Sequence, residues 1–185
     1  MDLTIEQVNN NHRDFVKVEA LYEEAFPIHE RLAMKTLLKK ANKSYVDFWS
    51  IYDAGVFIGF TCLVTHQNVT YILYLAIAES ARSKGYGSHI LSMIKVHYPL
   101  NRILLNIETV TKDAENYEQR VIRKKFYQRN GYRNSGLVYK DRWTQYEVLL
   151  NGKKVEKKEF QQLIKKFYGI LLLFAFRPRI IKEEN

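Results

Sequence analysis

Cysteine is nearly absent from this sequence, and long apolar runs are absent altogether. The single cysteine among 185 residues, Cys62, excludes an internal disulfide and a cysteine metal cluster. Its place in an apolar strand pattern predicts a buried core residue. No apolar run reaches the ~20 residues that a membrane-spanning helix needs, and residues 1–11 are too polar for a secretory signal peptide. We therefore expect a cytoplasmic protein without a metal site.

Acidic residues are also in the minority, since 29 lysines and arginines stand against 20 aspartates and glutamates and give a net charge of +9. Such a charge is typical of proteins that bind nucleic acid or an anionic membrane, and also of a basic enzyme whose ligand is a polyphosphate. The aromatic residues are not interleaved with Lys and Arg on a strand, as in a base-stacking platform, and no groove-binding helix motif is legible. We expect an enzyme and no nucleic-acid partner.

The most informative stretch is Tyr71–His97, which reads as a strand, a basic turn and a helix. Its first eight residues form an apolar run rich in strand-favouring side chains, and its last part has apolar residues at helical spacing. The turn between them, Arg82–Ser88, would aim backbone N–H groups and a helix N-terminus at one point, which favours a bound phosphate or pyrophosphate. A dinucleotide fingerprint is excluded because position 90 is Ile, and a P-loop is excluded because Ser-His follows Gly87.

Hydrophobic periodicity and turn residues predict the element order βααβββαβαββ within one domain. The predicted strands are Leu3–Val8, Tyr45–Tyr52, Val56–Thr65, Val69–Ala78, Arg102–Ile107, Tyr132–Tyr139 and Arg142–Leu150. The predicted helices are Arg13–Phe26, Glu30–Lys40, Gly87–Tyr98 and Glu115–Asn130. Asp14 is placed as a helix N-cap and Gly131 as a C-cap. Because a strand–helix–strand unit usually has parallel strands, while the hairpins are antiparallel, the expected class is α/β with a mixed sheet.

Two motifs in this order resemble those of the GNAT acyltransferases, the GCN5-related N-acetyltransferases. The first is Arg-x-x-Gly-x-Gly at residues 82–87, after the apolar strand, and the second is Phe-Tyr-Gln-Arg-Asn-Gly-Tyr at residues 126–132. The resemblance covers Leu3 to Leu150 and implies a GNAT domain in residues 1–150. It implies an N-acetyltransferase that moves the acetyl group of acetyl-CoA to an amine of a small molecule or peptide. The alternative is a catalytically silent CoA-binding module of the same fold.

The same resemblance assigns several groups of residues to CoA. The backbone of the strand end would hydrogen-bond the pantetheine arm, the amides of the turn would hold the pyrophosphate, and basic side chains would add charge. Glycines suit the turn because a side chain would keep phosphate oxygens away from the backbone. The residues so assigned are Leu75, Ala76, Ile77, Arg82, Ser83, Lys84, Gly85, Tyr86, Gly87 and Ser88. Arg120 and Arg123 stand where the family often has Asn and Ala, and we expect both to reach CoA phosphates.

The resemblance also assigns the chemistry of a direct transfer. Tyr127 matches the general acid that protonates the CoA sulfur, and a Tyr pKa near ~10 keeps its proton in place until a thiolate forms. Glu108, after a predicted strand, and Glu30, with His29 beside it, are candidate general bases, whereas deprotonation through ordered water needs neither. The acceptor stays open, because Arg31 would admit a carboxylate while Glu30 and Glu108 would favour a cationic amine.

Residues 151–185 lie outside the resemblance and form a C-terminal extension. They are lysine-rich at first, continue with apolar residues at helical spacing and become continuously apolar over residues 169–176. That apolar run is too short to cross a membrane. We expect a helix that packs on the domain or on the partner in a homodimer. A basic amphipathic element that contacts a membrane surface is the alternative.

Overall fold

The computed structural model describes residues 2–182, which contain eight strands and five α-helices in the α/β class that the sequence predicts. The strands are β1 (Leu3–Gln7), β2 (Val46–Asp53), β3 (Val56–His66), β4 (Val69–Ile77), β5 (Arg102–Glu108), β6 (Arg133–Lys140), β7 (Gln145–Asn151) and β8 (Arg179–Lys182). The helices are α1 (Phe15–Ala25), α2 (Met34–Ala41), α3 (Tyr86–His97), α4 (Tyr117–Arg129) and α5 (Lys157–Phe176). One compact unit holds the residues up to Val64 together with Ile72–Pro99, and a second holds Thr65–Tyr71 and the residues from Leu100 onward.

In the first unit, strands β1 to β3 form an antiparallel sheet with an aromatic core. Pairs such as Ile5 with Ile51 and Phe48 with Cys62 define the register. Burial of this apolar surface contributes about 25 cal/mol per Å². The prediction that Cys62 is buried is confirmed, since its side chain has no exposed surface. Burial raises the pKa of its thiol, so Cys62 is an unreactive core residue.

Strands β3 and β4 approach each other closely at Gly59. A Cβ atom at this position would lie 2.2 Å from the carbonyl oxygen of Ala76, so any side chain here would push the two backbones apart. Just beyond this contact, the Ala78 N–H donates to the Ile58 carbonyl at 2.9 Å. The end of β4 is therefore held firmly where the predicted phosphate-binding turn begins.

The second helix begins at Met34 and not at Glu30, so the sequence placed its start four residues too early. A turn closes first, with the Glu30 N–H donating to the Pro27 carbonyl at 2.9 Å. The Tyr74 hydroxyl of β4 then donates to the Glu30 carbonyl at 2.9 Å and accepts from the Leu32 N–H at 3.3 Å. These bonds hold the segment in a non-helical path, and they come from a residue 44 positions away in the sequence.

Asp14 stands at the N-cap of α1, as predicted, but its side chain makes no capping hydrogen bond. Its carboxylate instead accepts a hydrogen bond from the Tyr52 hydroxyl at 3.0 Å and pairs with Lys17 at 2.7 Å. The hydrogen bond from Lys17 is the main reason why the pKa of Asp14 lies below its usual range; the hydrogen bond from Tyr52 acts in the same direction, and burial opposes both. The carboxylate joins α1 to β2 in place of capping the helix.

In the second unit, the strands run in the order β5-β7-β6-β8, and all neighbours are antiparallel. The C-terminal extension belongs to this unit. Helix α5 buries Phe160, Leu163 and Phe167, and Phe160 meets the ring of Tyr71 edge-on at 5.2 Å. The backbone of α5 is kinked at Gly169, where φ is 67°.

Strand β8 extends this sheet by pairing with β6, and the sequence did not predict it. Its Ile180 is buried, so the chain returns to the sheet after α5. Within the described residues, no helix combines the length and the apolarity needed to cross a membrane. The domain boundary at residue 150, a homodimer and a contact with a membrane surface stay predictions.

Candidate functional site

The turn after β4 exposes a row of unused backbone donors. Ser83 and Gly85 both have left-handed backbones, with φ of 62° and 84°, and α3 begins directly after them at Tyr86. The Gly85 carbonyl accepts the N–H groups of Ser88 and His89, at 3.1 and 3.3 Å. Within residues 2–182, the N–H groups of residues 83–87 donate to no acceptor. Free N–H groups at a helix N-terminus are suited to bind an anion such as a phosphate.

Side chains around this turn anchor it to the first unit. Arg82 donates through Nε to the Ile77 carbonyl at 3.1 Å and through Nη2 to Glu24 of α1 at 2.8 Å. The Tyr86 hydroxyl donates to Asp53 at the end of β2, at 2.7 Å. These contacts use the side chains and leave the backbone N–H groups of the turn available, while Lys84 is exposed at its rim.

Tyr127 lies in the last turn of α4, in the second unit. Its ring is partly buried and meets Phe126 and Tyr132 edge-on, at 5.1 and 5.8 Å. Gly131, with φ of 81°, ends the helix as the sequence predicts, and the Tyr132 N–H donates back to the Tyr127 carbonyl at 3.1 Å. Burial raises the pKa of Tyr127 above its ordinary value, against a smaller opposing effect of the Arg123 charge. The phenol therefore keeps its proton at neutral pH.

Glu108 is the last residue of β5, and two arginines of α4 neutralise it. Arg120 lies 2.9 Å from one carboxylate oxygen and Arg123 lies 2.7 Å from the other, and the Asn116 amide adds contacts at 3.3 and 3.4 Å. Burial raises the pKa of Glu108, but the hydrogen bonds from Arg123 and Asn116 and both arginine charges outweigh it, so the pKa lies below its ordinary value. A carboxylate held in this way has little tendency to accept a proton from an amine.

The two arginines that the sequence assigns to CoA differ in how many of their guanidinium nitrogens are already hydrogen-bonded or ion-paired. Arg120 uses all three guanidinium nitrogens, on the Asn116 side chain at 2.6 Å, the Thr109 carbonyl at 2.8 Å and Glu108 at 2.9 Å. Arg123 is 44% exposed, and among the described residues only its Nη1 has a hydrogen-bond or ion-pair partner. Arg120 thus joins the start of α4 to the end of β5, and Arg123 is the one with free donors.

The low pKa of Glu108 predicts a pH dependence of stability. Because its folded pKa lies below its ordinary value of 4.5, Glu108 stabilises the fold above that value and loses this contribution as the pH falls through the folded pKa. We expect Glu108→Gln to lower the free energy of unfolding at pH 7 and to have a smaller effect at about pH 3, which lies below the ordinary pKa. Urea unfolding at both pH values tests this, with the exposed Glu118→Gln as control; equal losses at both pH values would contradict the prediction.

A third group of predicted residues lies between α1 and α2 in the first unit. Glu30 is partly buried and Arg31 largely buried, whereas His29 is exposed. The segment is bound to Tyr74 and, through the Leu32 carbonyl, to the Tyr22 hydroxyl at 3.1 Å. The sequence analysis missed Tyr74. The sequence signal that was available is strand alternation, which puts Tyr74 on the same face of β4 as Ala76; in the structure both side chains are buried.

The predicted site residues thus fall into groups inside each unit. The first unit brings together the end of β4, the turn, and the segment with Glu30 and Arg31, while the second gathers Glu108, Arg120, Arg123 and Tyr127. The family model of the acetyltransferase (GNAT) domain matches residues 44–134, which include both the turn and the end of α4. Residues 44–134 form a GNAT-family domain. The resemblance that the sequence predicts is therefore confirmed.

Solved structures show the GNAT fold over most of the chain. A protein described as a GNAT-family acetyltransferase from Bacteroides thetaiotaomicron has a TM-score of 0.70 at 21% identity, over 91% of this chain and 98% of that one. The PaiA N-acetyltransferase of Thermoplasma acidophilum, solved with coenzyme A, has a TM-score of 0.56 at 16% identity, over 83% and 100%.

A spermidine N-acetyltransferase variant of Vibrio cholerae has a TM-score of 0.59 at 14% identity, over 80% of this chain and 92% of that one. No curated protein matches this sequence with statistical significance. At these identities the solved structures establish the fold, and the acceptor has to be inferred from this chain's own residues.

Proposed function

We propose that this protein is an N-acetyltransferase that moves the acetyl group of acetyl-CoA directly to an amine. The observation that carries the proposal is the turn at residues 83–87, whose backbone N–H groups are unused and stand at the N-terminus of α3. These donors suit the pyrophosphate of CoA. The coenzyme A bound to the Thermoplasma protein and the GNAT-family match support the same ligand here.

The remaining CoA contacts are assigned from the placement of the residues. The backbone of Leu75, Ala76 and Ile77 would pair with the pantetheine arm as an added strand does. The N–H groups of residues 83–87 would hold the pyrophosphate, whereas the Ser88 N–H already donates to the Gly85 carbonyl. Lys84 would add charge at the rim. Of the two arginines of α4, Arg123 is the better phosphate ligand, because Arg120 is fully engaged by Asn116, Thr109 and Glu108.

In the proposed reaction, the amine nitrogen attacks the thioester carbonyl, the C–N bond forms and the C–S bond breaks. The electron pair of that bond leaves with the CoA sulfur, which takes the proton of the Tyr127 hydroxyl. The attacking amine loses one proton, and the phenolate regains one from solvent. We assign the amine proton to water rather than to Glu108, since that carboxylate is held by two arginines. Glu30 remains the side-chain alternative.

A glycine substitution tests the binding of acetyl-CoA. Gly85→Ala places a Cβ in the turn at φ of 84°, whereas Gly136→Ala adds the same strain at φ of 72° in open space of the second unit. Both should lose about 1 kcal/mol of stability. Only Gly85→Ala should weaken acetyl-CoA binding, by about tenfold or more, because it disturbs several amide–phosphate hydrogen bonds. Calorimetric titration and urea unfolding measure the two effects.

A screen for acetyl transfer separates the enzyme from the silent module. CoA release from acetyl-CoA would be followed with a thiol reagent in the presence of amino acids, polyamines, aminoglycosides and peptides. Binding of acetyl-CoA together with transfer to an amine supports the proposal. Binding without any transfer supports the CoA-binding module, and the absence of acetyl-CoA binding at micromolar concentration contradicts both.

A further inference from the structure

Arg31 is a mostly buried cation whose guanidinium is poorly satisfied. Its side chain is 19% exposed, and its Nη1 lies 3.4 Å from the Glu23 carboxylate. Its Nε is buried and has no hydrogen-bond partner within the described residues. A buried charge without a strong partner costs free energy, so a fold that keeps one points to a ligand that completes the pairing.

The backbone on both sides of Arg31 is fixed. The Glu30 carbonyl accepts the Tyr74 hydroxyl at 2.9 Å, and Leu32 bonds to Tyr74 through its N–H and to Tyr22 through its carbonyl. The rings of Tyr22 and Tyr74 meet edge-on with centroids 4.9 Å apart. Arg31 therefore projects from an anchored frame, which a specific contact to a ligand requires.

Aromatic side chains adjoin this frame. Phe26 packs on Tyr74 at 4.9 Å and on Tyr22 at 5.8 Å, and it keeps part of its surface exposed. The positive charge of Arg31 acts on the Tyr22 hydroxyl, whose pKa is nevertheless raised, mainly by burial. An aromatic wall next to an unsatisfied guanidinium suits a small organic molecule that carries an anionic group.

Neither the acidic residues of α1 nor Glu108 of the second unit offers Arg31 a strong partner in the described residues. Glu23 is 65% exposed, so water solvates and screens its carboxylate. Glu24, the next residue, is committed to Arg82 at 2.8 Å. Glu108, which would favour a cationic acceptor, is neutralised by two arginines of α4. Of the residues weighed for the acceptor, Glu108 is thus paired with two arginines, while Arg31 has one long contact to an exposed carboxylate.

We infer that the acceptor amine carries a carboxylate, as a free amino acid does, and that Arg31 binds this carboxylate. The inference rests on the proposed acetyl transfer and adds the class of the acceptor to it. A carboxylate takes two parallel hydrogen bonds from a planar guanidinium, and it would displace the single long contact of Glu23. Neutral amides offer no charge to this group, and polyamines would be repelled by it.

Matched acceptors test the inference on the full-length protein saturated with acetyl-CoA. Each free amino acid is compared with its carboxamide, which keeps the amine and the side chain but loses the charge. We expect the acids to exceed the amides in kcat/KM by about tenfold or more, the value of one charge-assisted hydrogen-bond pair. Arg31→Gln should raise KM for the acids by a similar factor, with little change in kcat. Arg31→Lys should recover part of the loss.

Lys35→Gln is the control. Lys35 is an exposed residue of α2, so this substitution also removes one positive charge but should change KM by less than about twofold. Equal rates for acids and amides, or equal losses for both in Arg31→Gln, would overturn the inference. If no amine is acetylated, the proposed transfer fails. Thermal shifts with N-acetyl amino acids and their amides then decide the inference separately. Stabilisation by the acids that disappears in Arg31→Gln supports it, and no such stabilisation overturns it.

Discussion

Tyr127→Phe is expected to lower kcat by about 100-fold or more and to leave the Kd for acetyl-CoA within about twofold. The substitution removes one hydroxyl and keeps the ring, which is partly buried and packs against Phe126 and Tyr132. Without the phenol, the CoA thiolate has to leave unprotonated. Single-turnover kinetics combined with calorimetric titration of acetyl-CoA measure the two quantities separately.

Tyr132→Phe is the matched control for this experiment. The Tyr132 side chain is 3% exposed, and its hydroxyl has no hydrogen-bond partner within the described residues. Its removal should leave kcat unchanged and should raise the free energy of unfolding by about 1 kcal/mol, because an unsatisfied buried polar group is lost. A parallel fall of kcat and of acetyl-CoA affinity in Tyr127→Phe would contradict the role of Tyr127, as would equal losses of kcat in both variants.

Lys124→Met is expected to lower the free energy of unfolding by about 3 kcal/mol. Lys124 of α4 lies 2.6 Å from Glu147 of β7, whose side chain is only 8% exposed. The other carboxylate oxygen of Glu147 is buried and has no hydrogen-bond partner within the described residues. Removal of Lys124 therefore leaves a buried carboxylate unpaired, which is the costly way to break such a pair. Urea unfolding at neutral pH measures the loss.

Two further variants show whether the loss of stability in Lys124→Met comes from the unpaired carboxylate of Glu147. The double variant Lys124→Met with Glu147→Leu should recover most of the stability, because an apolar pair needs no desolvation of charge. Lys125→Met, at the adjacent exposed position of α4, should change the free energy by less than about 0.5 kcal/mol. If Lys124→Met behaves like Lys125→Met, the buried pair does not stabilise the fold.

Most element types could be predicted from the sequence because their signals are local. The Gly85 and Gly131 positions, the apolar strands and the helical periodicity each depend on a few neighbouring residues. The predicted start of α2 was wrong because it depends on a distant residue. The Tyr74 hydroxyl hydrogen-bonds to the Glu30 carbonyl and the Leu32 N–H and so keeps this segment out of the helix. Strand β8 was missed because its four residues are part of a sheet only through their pairing with β6.

In the candidate site, too, the features that depend on local sequence were predicted, and those that depend on contacts between distant residues were missed. Sequence motifs located the turn and Tyr127, but they could not show that Arg120 is fully engaged or that two arginines neutralise Glu108. Hydrogen bonds and ion pairs of this kind join residues that are far apart in the chain, and a spacing pattern carries no information on them. The pairing of Lys124 with Glu147 across 23 positions was missed for the same reason.

By itself, the sequence determined the resemblance to the GNAT family, the α/β class, the position of the turn with its two glycines and the position of Tyr127 at the end of α4. Backbone conformation and burial periodicity follow from local chemistry, so these features could be read along the chain. Only the tertiary structure decided which charged groups are already paired. Glu108 is bound by two arginines, whereas Arg31 has one long contact to Glu23 and, within the described residues, an Nε without a hydrogen-bond partner. These pairings depend on which residues the fold brings next to each charge.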